Sequence, residues 1–309
     1  MRRSSGLAAL LAAALAALLL AACGEGDERS SGARTTSDAS PIRIGTKNFT
    51  EQFILGELYR QALQAEGFPV RLKLDIGNSE ITHQALAGGG LDMYPEYIGV
   101  LLSEIADQPQ RPRSPTAAYR LAKAFEERNG FTLLRPTPFT DANALAVTPA
   151  TARRHDVRSI ADLERLPGRP EIGAPPEFKT RFEGLVGLKE LYGLDRVRAV
   201  PLRIGDQYEA LDEGEVDAAA VFTTDGQLAD GRYAVLADPR GVFADGHVAP
   251  IISRRTLRAH GPRLAVTVDA VSRRLTTRAM RAMNSAVAQD GETPAAVADR
   301  FLRSQGLKE

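Results

Sequence analysis

One frame of residues occurs twice in this chain. Ala85-Leu86-Ala87-Gly88-Gly89-Gly90-Leu91-Asp92 returns as Ala210-Leu211-Asp212-Glu213-Gly214-Glu215-Val216-Asp217, an offset of 125 residues. The shared letters are Ala-Leu-x-x-Gly-x-[Leu/Val]-Asp. Upstream of each copy stands a short apolar run ending in Ile-Gly, Ile44-Gly45 before the first and Ile172-Gly173 before the second, offset by 128. Strand, glycine, helix, glycine, strand and acid therefore recur in one order at nearly one spacing. A duplication of this length predicts two similar α/β lobes, each burying its own core. Two lobes with a crevice between them form a binding architecture.

The chain has 309 residues, enough for two ordinary domains, and its 43% hydrophobic and 25% charged content is that of a globular protein. Its formal net charge is zero, so no basic field invites nucleic acid. Arginines outnumber lysines 33 to 6, which makes each lysine more informative.

Arg2 and Arg3 precede an apolar run from Leu7 to Ala22, about 16 residues and short of the roughly 20 that span a bilayer. Leu20-Ala21-Ala22-Cys23-Gly24 resembles the bacterial lipoprotein signal, whose cleavage leaves the cysteine to be lipid-modified. Residues 1–22 are thus expected to be a signal peptide, Cys23 the lipid attachment point, and the protein tethered at the extracytoplasmic face of the cell membrane. Cys23 is the chain's only cysteine, so no disulfide forms within one chain. Residues 23–41 are rich in Gly, Ser, Thr and charge and read as a flexible linker.

Alternation and caps place the following elements. Ile42 and Ile44 belong to a strand. Asn48 reads as the N-cap of a helix with Glu51 as its reciprocal acid. A strand covers Val70 to Leu74, and Gly77-Asn78-Ser79 opens a helix through Ala87. Leu91 to Met93 is a short strand, followed by an aromatic loop to Tyr97. Later strands are expected at 131–134, 143–147, 171–174, 197–202, 218–222, 233–236 and 248–253. A helix is expected over 178–192, and three more between Pro262 and Ser304. Lobe I is 42–143 plus 247–309, lobe II is 144–246, and the two crossings form a hinge.

A search for reactive groups finds no Gly-x-Ser-x-Gly, no metal spacing among His83, His155, His247 and His260, and no phosphate loop around Gly88-Gly89-Gly90. No catalytic residue, metal or cofactor is expected, and the chain reads as a non-enzyme.

Four segments carry a resemblance. Gly45-Thr46-Lys47-Asn48-Phe49-Thr50-Glu51-Gln52, Asp92-Met93-Tyr94-Pro95-Glu96-Tyr97-Ile98-Gly99, Glu177-Phe178 through Arg181 and Gly184, and Thr223-Thr224-Asp225-Gly226 occur in order. Together they resemble the substrate-binding proteins of glycine betaine/carnitine/choline ABC transporters. The resemblance implies the type 2 periplasmic-binding-protein fold, α/β, with two lobes joined by a two-strand hinge. It implies an ABC permease as partner and a quaternary-ammonium osmolyte as ligand.

That chemistry has a physical basis. A trimethylammonium has no hydrogen to donate, so aromatic faces hold it by cation–π attraction, while a ligand carboxylate needs Lys, Arg or backbone N–H. By resemblance, Tyr97 and Phe222 match cage positions and Lys47 and Arg181 match carboxylate-binding ones. Asn48, Tyr94 and Thr223 are neighbours in the same motifs. Asp92, Asp217 and Asp225 read as structural acids.

The chain also departs from the family pattern. Asn143 and Gly246-His247 stand where the family places tyrosines, and Val100 stands where it places a threonine. Two aromatic faces supply roughly 1–4 kcal/mol, whereas micromolar binding needs about 8 kcal/mol. Other groups must contribute, and Asn143 and His247 would suit a ligand with more hydrogen-bonding groups. Three readings stay open: an osmolyte receptor, the same scaffold for a different polar solute, and a lipid-anchored enzyme.

Overall fold

A computed structural model describes residues 40–108, 112, 114–228, 231–243 and 246–309. The signal segment, Cys23 and the linker up to residue 39 lie outside the described residues.

The first sheet holds β1 (Ile42–Gly45), β2 (Val70–Lys73), β3 (Met93–Tyr97), β4 (Phe131–Leu133) and, late in the chain, β10 (Val248–Ser253). Its order is β2-β1-β3-β10-β4. The second holds β5 (Asn143–Val147), β6 (Glu171–Ala174), β7 (Arg198–Pro201), β8 (Ala218–Phe222) and β9 (Ala234–Val235), in the order β7-β6-β8-β5-β9. In each, two parallel pairings are followed by antiparallel ones. The two sheets are the same design, as the duplicated frame predicts.

The repeated acid does the same work in both. Asp92 accepts from the N–H of Arg43 and Asp217 from that of Glu171, each at 2.9 Å and each at the mouth of the Ile-Gly strand. The backbone N–H of each acid donates back to that same residue. The glycine is also explained. A Cβ on Gly45 would run into the Leu91 side chain, and one on Gly173 into Leu202.

Helices cover the sheets. In the first unit of architecture these are α1 (Thr50–Ala65), α2 (Ser79–Ala87), α3 (Ile98–Val100, continued by a wider turn Leu101–Ile105) and α4 (Pro115–Arg128). In the second they are α5 (Pro149–His155), α6 (Gly187–Tyr192) and α7 (Gln207–Asp212). The C-terminal run, α8 (Arg254–His260), α9 (Pro262–Ser272), α10 (Thr277–Ala288) and α11 (Pro294–Ser304), returns to the first sheet. There α1 packs with α9, α10 and α11 over Ile42, Ile44, Met93 and Tyr97. The opposite face of that sheet buries Tyr94 with Leu86, Ile98 and Leu101. Among the described residues no helix is long and apolar enough to cross a membrane.

Four local expectations are corrected. The strand at 91–93 instead covers Met93–Tyr97, because all five residues pair with β10. Pro95 faces Pro250 there. Neighbouring bonds Ile98 N to His247 O and Ser253 N to Asp92 O set the alternation so that the two prolines fall at a non-bonded pair, where neither needs an N–H. The N-cap of α1 is Phe49, not Asn48, and Glu51 turns to other partners. The helix expected over 178–192 is broken. Gly184 has φ −160° and ψ −140°, and a Cβ there would strike the Phe178 carbonyl. Finally, α5 and α8 were not anticipated. Each starts on a hydroxyl cap, Thr148 and Ser253.

The chain passes between the sheets twice, before β5 and before β10. These passages touch: Thr140 and His247 form an antiparallel bridge, and Asp141 N donates to Gly246 O at 2.9 Å. A Cβ on Gly246 would overlap the Asp141 carbonyl and the Ala142 nitrogen. Backbone cannot swing aside as a side-chain tip can. Gly246→Ala is therefore expected to lower unfolding free energy by about 1–3 kcal/mol, read by denaturant titration. An unchanged midpoint would contradict this account of the crossover.

Candidate functional site

Parallel strands present their carboxyl ends to one side of a sheet, where α/β proteins bind ligands. Here β1 runs out into Lys47, β3 ends on Tyr97, β6 runs out into Pro175 and β8 ends on Phe222. The 125-residue offset of the repeated frame also relates Tyr97 to Phe222, so the duplication delivers one ring from each sheet. These ends meet across a crevice of about 610 Å³.

Four rings line it: Phe49, Tyr97, Phe178 and Phe222. Phe49, at the start of α1, stacks on Phe222 with centroids 5.1 Å apart and on Tyr97 at 6.1 Å. The Lys47 ammonium lies 4.2 Å from the Tyr97 centroid and 5.6 Å from that of Phe49. A cation thus already rests on these faces. It is also paired, with Glu96 Oε1 at 2.5 Å, and donates to Ser79 Oγ at 3.0 Å. Lys47 is only 4% exposed. Burial pushes its pKa down, and the Glu96 carboxylate opposes that shift.

The second cation is Arg181. Its Nε donates to Glu80 Oε1 at 3.1 Å and its Nη2 to Glu80 Oε2 at 2.5 Å. Glu104 stands 3.7 Å and Glu177 3.9 Å away. Burial alone would lower the guanidinium pKa, but the Glu80 hydrogen bonds and charge outweigh it and the net shift is upward. Asn143 Nδ2 donates to Glu183 Oε2 at 3.0 Å, and both residues line the crevice.

Of the nine ligand-binding residues expected from sequence, Lys47, Asn48, Tyr97, Asn143, Arg181 and Phe222 line this one crevice. Tyr94, Thr223 and His247 do not. Tyr94 is one residue out of phase with Met93 and lies in the core on the other face of the first sheet, its hydroxyl donating to Glu96 Oε2 at 3.2 Å. Thr223 bonds back to Ala142 of the crossover, and His247 belongs to that crossover. Val100 lines the crevice where the family pattern has a threonine. Phe49 lines the crevice as well, whereas Tyr208 packs on Tyr233 away from it. Glu80, Glu96 and Glu104 were missed. Glu96 stood inside a quoted motif; Glu80 and Glu104 gave no signal.

Behind the rings lies a buried acid network. Glu51 accepts from the Tyr97 hydroxyl (2.8 Å), the Thr224 hydroxyl (2.5 Å) and Asn284 Nδ2 (2.8 Å). Asp141 accepts from Thr224 N at 3.2 Å. Asp225 accepts from the Tyr208 hydroxyl (2.6 Å) and from Phe222 N (3.0 Å), fixing the end of β8. Burial, and then the neighbouring acids, push Asp141 well above the carboxylate range. Burial also raises Glu51, against its three donors.

Two sheets of one design, presenting rings and paired charges to a shared crevice, define a two-lobed solute-binding receptor. The comparisons agree. Residues 40–304 match the family described as the substrate binding domain of the ABC-type glycine betaine transport system, and the chain belongs to that family. The glycine-betaine-binding protein of Pseudomonas aeruginosa is 34% identical over 282 residues, 88% of this chain and 90% of that one. The glycine betaine-binding protein YehZ of Escherichia coli is 29% identical over 280 residues, covering 87% and 92%. A crystal structure of a glycine betaine/carnitine/choline ABC transporter protein superposes with a TM-score of 0.69 at 26% identity, over 86% of this chain and 99% of that one. The protein is a substrate-binding protein of a glycine betaine-type ABC importer, extracytoplasmic and not an enzyme.

The acid network gives a pH prediction. Burial raises the Asp225 pKa from 3.8 to about 6. A raised acid binds more protons folded than unfolded, so its contribution is full below about pH 4 and is lost as pH rises through about 6. The whole shift corresponds to at most about 3 kcal/mol. Asp225→Asn should flatten the fall in stability between these values, measured by chemical unfolding across pH. An identical slope in the variant would contradict the assignment.

Proposed function

We propose that this receptor captures a quaternary-ammonium osmolyte of the glycine betaine, carnitine or choline class and hands it to an ABC permease. The observation that carries this reading is the aromatic stack Tyr97–Phe49–Phe222, on which the Lys47 ammonium already rests. Methylated nitrogen would use ring surface of this stack that Lys47 does not cover, with Asn48 and Asn143 at the lining for the ligand's polar end. The names of the Pseudomonas and Escherichia relatives support the ligand class.

In this reading lobe I is 42–143 plus 247–309 and lobe II is 144–246. They flex about the paired passages at Thr140–Asp141 and Gly246–His247. Cys23 carries a lipid that holds the receptor at the membrane surface, and residues 23–41 give it reach.

A second reading, a different polar solute on the same scaffold, is favoured by Asn143 and Val100, which line the crevice where the family pattern has a ring and a hydroxyl. Calorimetric titration with betaine, carnitine, choline, ectoine and amino acids separates the two. The first reading predicts binding of a methylated ammonium, weakened roughly 2- to 30-fold by Tyr97→Ala, the equivalent of one cation–π face at about 0.5–2 kcal/mol. Silence from every methylated ammonium, or a variant that binds as tightly as the parent, would favour the second.

A further inference from the structure

Both cations of the crevice are already served by acids of the same chain. Lys47 is held by Glu96. Arg181 follows β6 of the second sheet, yet its main partner, Glu80, sits in the first turn of α2 against the first sheet, 101 residues away. The pair therefore crosses the crevice. A guanidinium and a carboxylate fit as two parallel forks, and Glu80 takes both positions, Nε and Nη2. Glu104, also from the first sheet's side, and Glu177 stand within 4 Å of the same group.

We propose that Glu80 is a built-in occupant of the acid subsite: it fills the Arg181 fork where a ligand carboxylate would dock, and so selects a quaternary ammonium that carries no acid group, such as choline. This deepens the reading above and rests on it. A zwitterion would bring a negative charge to a guanidinium that already faces three acids. It must displace Glu80 or leave its own carboxylate without a cation. A simple cation meets neither obstacle, and its hydroxyl can be met by the asparagines of the lining. The Glu80–Arg181 pair also links the two halves across the crevice.

The test is calorimetric titration of the purified protein and of Glu80→Gln with choline and with glycine betaine. Gln keeps the shape of the side chain and removes its charge. The parent is expected to bind choline at least about tenfold more tightly than glycine betaine. In the variant the freed guanidinium gains a charge-assisted bond to the betaine carboxylate, and that ratio should fall by about tenfold or more. Glycine betaine bound as tightly as choline by the parent, or a ratio unchanged by Glu80→Gln, would overturn the role of Glu80 while leaving the osmolyte receptor standing. Binding of neither ligand would overturn the role of Glu80, and silence from carnitine as well would overturn the osmolyte reading.

Discussion

Burial of one positive charge organises the crevice. Lys47 leaves the end of β1 and enters a space where water hardly reaches it, so the chain must supply what water would. It does so with a carboxylate, a hydroxyl and two ring faces. Glu96 must then lie beside Tyr97 on β3, and Tyr97 and Phe49 must stand at fixed angles over the ammonium. Removing one partner of such a pair leaves an uncompensated charge, a loss of about 3–5 kcal/mol. The rings are thus held in place by the same contacts that make the site fit for a cation.

The acids behind the rings extend this constraint to the join between the sheets. Glu51 of α1 grips the Tyr97 hydroxyl on one side and Thr224, just beyond β8, on the other. Asn284 of α10 bonds both Glu51 and the Thr224 carbonyl, and Arg281 donates twice to the Thr223 carbonyl. Elements of the first sheet's layer thereby hold the loop that follows Phe222. The Glu80–Arg181 pair ties the halves a second time.

Much of this could be read from the residues alone, and the limits are instructive. The repeated Ala-Leu-x-x-Gly-x-[Leu/Val]-Asp frame carried the two sheets and the twin acids, because duplication preserves spacing along the chain, whereas the rings Tyr97 and Phe222 came from the family resemblance. Spacing could not say on which face of β3 a ring lands. Tyr94 and Tyr97 sit in one motif but differ by three positions, so they point to opposite sides of the sheet. Nor could it show what Arg181 meets. Carboxylates near it in sequence were visible, but Glu80 arrives from 101 residues upstream, through packing of the two halves. The Gly184 break was hidden for a similar reason, since it answers to the Phe178 carbonyl and not to helix propensity.

The most direct check on the account is a crystal structure of the protein grown with choline. The methylated nitrogen is expected within about 6 Å of the ring centroids of Tyr97 and Phe222, between the two sheets and with the Glu80–Arg181 pair intact. Choline bound elsewhere, or a crevice left to water with the ligand at saturating concentration, would contradict it.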